Sequence, residues 1–209
     1  TGTDGSTVQF LDPRPMGNGH LLVRVQPFVA PERGGELLEV EFANYVENGQ
    51  PTAPNRGVMT GPAQKPATVN AVRTVPGPSP GGRFQAAFPL RDGTGRLLVS
   101  WTQCRLLEGT RILPCTADRL TAAGAVTAAP LYGLWIYDPS TRTQLPLASP
   151  VEGVMYSDII ALQPTPLPPV LLDRVAGIDF DADLESESVG LLDIRSVYDI
   201  DGVDTAPGG

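Results

Sequence analysis

The chain has 209 residues, room for one large domain or two small ones, and its 41% hydrophobic content argues for a packed core despite 23 glycines and 22 prolines. Its formal charge of −8 is uneven: residues 1–150 hold 13 basic and 11 acidic side chains, residues 151–209 hold 2 and 12. Such a balance, with no basic cluster, argues against nucleic acid or an anionic membrane surface as a partner, and no run approaches the ~18 apolar residues of a membrane span.

In chain order, Thr1–Ser6 has neither a starting Met nor a signal-peptide pattern and reads as an internal or processed start. Helical periodicity is weak, while short apolar runs bounded by Gly, Pro, Asn and Asp recur at strand-like spacing. Strands are predicted over His20–Gln26, Glu36–Phe42, Arg83–Pro89, Arg96–Gln103, Arg111–Cys115, Gly133–Asp138, Thr143–Leu147, Ile159–Gln163 and Leu191–Tyr198. Helix is confined to a turn or two at Thr116–Ala122. The Pro-rich stretches Pro51–Pro66, Pro76–Pro80 and Gln163–Pro169 read as ordered loops.

Cys104 and Cys115 are the only cysteines, flanking a segment that can turn near Gly109. A disulfide between them is the preferred reading and would place the chain outside the reducing cytoplasm, periplasmic or extracellular; a pair of buried thiols is the alternative. No Cys-x-x-Cys-His is present for covalent haem attachment.

An internal repeat organises the chain. Pro13 to Val23 and Pro89 to Val99 both read Pro, a short spacer, Gly-x-Gly, one polar residue and Leu-Leu-Val, at an offset of 76 residues. Each Gly-x-Gly leads straight into a strand rather than a helix, which suits a tight turn and not a phosphate loop. Gly35–Phe42 and Tyr132–Asp138 play the same role in the two copies, and Pro139–Leu145 supplies a turn and a return strand. The pattern begins again at Ser157–Pro164. The expected fold is all-β, part of a β-propeller of about two blades plus the start of a third, with long Pro/Gly-rich loops and an extended acidic C-terminal segment. Residues 1–170 would form the blades and residues 171–209 the acidic extended segment or the start of the next blade.

At Ala43–Asn48, Gly82–Leu90, Leu97–Cys104, Tyr132–Pro139 and Ile194–Asp199 the chain resembles the propeller region of proteins related to the hydrazine synthase alpha subunit, which look like the TolB-type propellers. The resemblance implies a non-catalytic scaffold that docks with partner chains, including c-type haem proteins, in a multi-subunit assembly. Haem would come only through a partner. The alternatives are a structural subunit of an extracellular filament, built from copies of itself, and a fragment that completes an enzyme active site with a partner.

Candidate chemistry within the chain is thin. His20 is the sole histidine and occupies the place of Arg96 in the second repeat; an ordinary strand-edge polar residue is the expected role. No Gly-x-Ser-x-Gly elbow is present, so no catalytic residue is assigned. Asp179, Asp181 and Asp183 are the metal candidates, because alternating carboxylates can converge on calcium, although Leu184 stands where an EF-hand needs its turn Gly. The run from Asp199 to Asp204 is a weaker candidate. A solvated acidic linker explains both runs as well. Trp101, Trp135, Tyr132 and Tyr137 are assigned to core packing.

Overall fold

The computed structural model describes residues 8–28, 33–122, 124–164, 167 and 174–189. The chain divides into two units, residues 1–164 and 165–209.

Two four-stranded antiparallel sheets make up most of the first unit. The first has the order β1 (Val8–Pro15), β2 (Leu21–Pro27), β3 (Glu36–Val40) and β6 (Gln64–Pro66), interrupted after β3 by a ribbon of β4 (Tyr45–Glu47) with β5 (Gln50–Pro51) and a 3₁₀ turn at Ala53–Asn55. The second takes β7 (Arg83–Pro89), β8 (Leu97–Thr102), β12 (Gly133–Asp138) and β13 (Thr143–Ala148) in sequence order. It too carries an insertion, a three-stranded sheet of β9 (Arg105–Glu108), β10 (Arg111–Pro114) and β11 (Val126–Thr127), with helix α1 (Ala117–Thr121) between β10 and β11. Among the described residues no helix is long and apolar enough to cross a membrane.

The sequence repeat is a structural repeat. Pro15 pairs with Leu21 in the first sheet and Pro89 with Leu97 in the second; Leu21 then pairs with Val40, and Leu97 with Tyr137. Both first strands carry an irregularity, between Leu11 and Arg14 in β1 and between Phe84 and Ala86 in β7. In the connecting turns Gly19 (φ 83°), Gly93 (φ 80°) and Gly95 (φ 72°) adopt the left-handed backbone that side chains with a Cβ resist.

The core lies between the two sheets. Leu22 and Leu37 from the first pack against Phe84, Ala87, Leu97, Val99 and Tyr137 from the second, with Trp101 and Trp135 edge to face at 5.5 Å beside them. These aromatic side chains are packing residues, as their place in the strands requires. The faces that meet are not equivalent. Leu22 points into the core, but its repeat partner Leu98 lies on the far face of the second sheet; Leu97 and Val99 point in, while Leu21 and Val23 lie on the far face of the first.

Backbone and buried polar groups join the sheets as well. Gly35 and Phe84 exchange two hydrogen bonds of 2.9 Å, the Tyr132 hydroxyl donates to the Arg33 carbonyl, and the buried Arg24 guanidinium bonds Gln85 across the interface and Asp12 on β1. Arg83, equally buried, donates to the carbonyls of Arg73 and Gly77 and so organises the Pro-rich loop before β7. Peptide groups with no strand partner are satisfied there by a side chain.

Several sequence expectations need correction. Ile159–Gln163 forms no strand, and among the described residues no segment pairs with it. Helix is not confined to the Thr116 region, since α2 (Ala182–Ser186) forms within the acidic run. β1 escaped prediction because Asp12, Pro13 and Pro15 break the alternation, and an edge strand tolerates prolines that a central one would not. Leu191–Tyr198 lies outside the described residues.

Candidate functional site

The predicted pairing of Cys104 with Cys115 is present, with Cα atoms 5.5 Å apart. The hairpin turns at Gly109 (φ 62°) and Thr110, and the disulfide closes its open end, reinforced by the Cys115 amide donating to the Cys104 carbonyl. Beyond it, Thr116 caps α1 by accepting from the Arg119 amide, and β11 returns to pair with β9.

This small sheet buries one side only. Leu106 is 1% exposed, whereas Ile112, Leu107 and Val126, on three adjacent strands in direct register, are 45%, 40% and 54% exposed. Directly opposed residues share a face, so the three form one continuous apolar row. Arg105 anchors the sheet, donating to the Ala129 carbonyl and pairing with Glu152. A recess lined among others by Arg83, Thr102, Arg105 and Thr127 has room for a water.

His20 sits at the start of β2, its Nδ1 2.5 Å from Glu39 Oε1 and its Nε2 3.9 Å from Glu41; Asn18 also donates to Glu39. At the matching place in the second sheet Arg96 pairs with Asp138 at 2.8 Å. Both repeats thus place a nitrogen-bearing side chain just before or at the start of the second strand against a carboxylate of the third. The Asp138 carboxyl is held well below the usual carboxylate range, first by the Ser140 hydroxyl, then by Arg96 and the Ser140 and Thr141 amides. A group with a depressed folded pKa stabilises the fold above its unfolded value of about 4 and loses that contribution as pH falls through the folded value. Asp138→Asn should therefore lower the melting temperature at pH 7, and the gap from wild type should shrink steadily below pH ~4; a gap that persists unchanged at the lowest pH would refute the ionic role.

The acidic run folds as a turn leading into α2. Asp179 accepts from the Val175 amide at 2.8 Å, and Asp181 accepts from the Asp183 amide at 3.1 Å at the start of α2. Asp179, Asp181 and Asp183 are all exposed, and among the described residues no group of three His, Cys, Asp or Glu side chains is arranged to hold a metal ion. Asp199 to Asp204 lies outside the described residues.

Fold and site together define a class: an antiparallel β protein of two repeated sheets, with a disulfide-braced insertion that presents an apolar row. Comparison with family models, curated proteins and solved structures found no match, so no finding links the chain to the hydrazine synthase relatives or to the TolB-type propellers. The apolar row itself was missed by sequence reasoning. Its signal was available in Leu107 and Ile112 on either side of a two-residue turn, but only β11 showed that Val126 extends the row.

Proposed function

We propose that the chain is a non-catalytic, extracytoplasmic scaffold of the β-propeller class that docks with partner chains, c-type haem proteins among them. The observation that carries the propeller reading is the way the sheets stack. In a two-fold sandwich equivalent faces would meet; here the face bearing Leu22 meets the opposite face of the repeat, the one bearing Leu97 and Val99. Opposite-face stacking is what allows one sheet to follow another around an axis. The disulfide fits an oxidising compartment.

The row of Leu107, Ile112 and Val126 is the proposed docking surface. A continuous exposed apolar row on a cross-linked support suits burial against another protein. The test is affinity purification of the full chain from its source under native conditions, followed by mass spectrometry and haem absorbance. Leu107→Glu combined with Ile112→Lys should reduce recovery of co-purifying chains at least about tenfold, from the loss of two buried apolar side chains. The melting temperature of the two-sheet body should hardly change. Wild-type protein recovered alone as a single 22.1 kDa species would defeat the reading.

A further inference from the structure

Residues 155–164 belong to no strand or bridge, and among the described residues none of their backbone groups bonds another backbone group. Their side chains nevertheless alternate as in a strand. Ile159 is 7% exposed and Ala161 and Gln163 are half-buried, whereas Ile160 is 64% and Leu162 99% exposed. The segment is anchored at both ends: Asp158 pairs with Arg14 at 2.9 Å, and the Gln163 amide group donates to the Pro89 carbonyl and accepts from the Arg91 amide. Much of the ordering that a docking strand must undergo is thus complete in advance.

Natural sheets protect an unpaired edge with charge, bulges or cover, and no charged residue lies between Ile159 and Gln163. The place in the repeat is also that of an edge strand. Pro15 ends β1, Pro89 ends β7, and Pro164 follows this segment, at intervals of 74 and 75 residues.

We infer that residues 159–163 pair antiparallel with the same segment of a second copy of this chain. The sequence is matched to itself about Ala161: Ile159 falls opposite Gln163, and Ile160 opposite Leu162. Opposed residues share a face, so the exposed Ile160 and Leu162 of both copies come together as a cluster of four apolar side chains with no like charges in contact. Each copy meets the other through the same surface, the self-complementary arrangement of a two-fold dimer. The inference deepens the scaffold reading and rests on it, naming one of the partners.

Light scattering of the full chain between about 1 and 200 μM should show a monomer–dimer equilibrium in the micromolar range expected of a small interface. Ile160→Lys with Leu162→Lys should weaken it about 100-fold, while Val58→Lys, at a residue 74% exposed elsewhere, should leave it unchanged. Because Cys104 and Cys115 are paired, Ala161→Cys adds a single free thiol. It should form an interchain disulfide under mild oxidation that Val58→Cys does not. A monomer throughout, with no selective cross-link, overturns the inference. If other chains still bind through Leu107 and Ile112, the scaffold reading survives that failure; if the dimer forms but no other chain is captured, the self-pairing stands and the scaffold reading falls.

Discussion

Phe84→Ala is expected to cost about 3–5 kcal/mol, the range for deleting a large aromatic side chain from a closed core. Phe84 is fully buried, packs with Leu22 and Leu37 of the other sheet, and carries on its own backbone the two hydrogen bonds to Gly35. No single neighbour can collapse into the space, because its neighbours are strands held in two separate ladders. Against a total stability of about 5–15 kcal/mol for an ordinary domain, the loss should leave the first unit close to its unfolding threshold. Urea denaturation should show a midpoint shift with little change in slope. A cost below about 1 kcal/mol would mean that the two sheets do not share one core.

Gly35→Ala should be of similar size, about 3 kcal/mol or more, for a different reason. A Cβ at position 35 would lie 1.9 Å from the Val25 carbonyl oxygen and 2.8 Å from Cβ of Gln26. Main-chain atoms of a paired strand cannot swing aside as a side-chain tip does, so β2 and β3 must separate or Gly35 must leave Phe84. Gly49→Ala is the matched control: a Cβ there meets nothing within 4 Å, and its melting temperature should stay near wild type. Hydrogen exchange at the Phe84 amide distinguishes the two responses, since loss of protection there reports the bridge directly. Equal melting temperatures for the two variants would contradict the close approach on which the joining of the sheets depends.

The legible part of the fold was the part written in local pattern. Arg83–Pro89 and Gly133–Asp138 were predicted at their observed bounds, and His20–Gln26 is displaced by one residue from the observed Leu21–Pro27, because apolar runs closed by Gly, Pro or Asp mark strand ends through backbone geometry alone. The hairpin at Gly109 was readable for the same reason. Ile159–Gln163 has an equally good strand pattern and, among the described residues, no pairing partner, which no local rule could reveal, since a strand exists only through its partner. At Asp179, Asp181 and Asp183 the sequence showed alternating carboxylates but not the helix: short-range bonds from Asp179 and Asp181 to backbone amides favour a turn and a helix start, as Asp side chains commonly do.

By itself the sequence determined an all-β chain with a repeat of 76 residues and a Cys104–Cys115 pair whose spacing suits a hairpin clasp. Those properties follow from spacing along the chain, where turn residues and alternation act over a few positions. Only the tertiary structure decided which faces of the repeats meet, that Gly35 lies against Phe84, and that Leu107, Ile112 and Val126 form one exposed row. Each of these depends on segments tens of residues apart whose contacts are chosen by the packing of whole sheets, and a period-two pattern that is apolar on both faces does not say which face is covered by what.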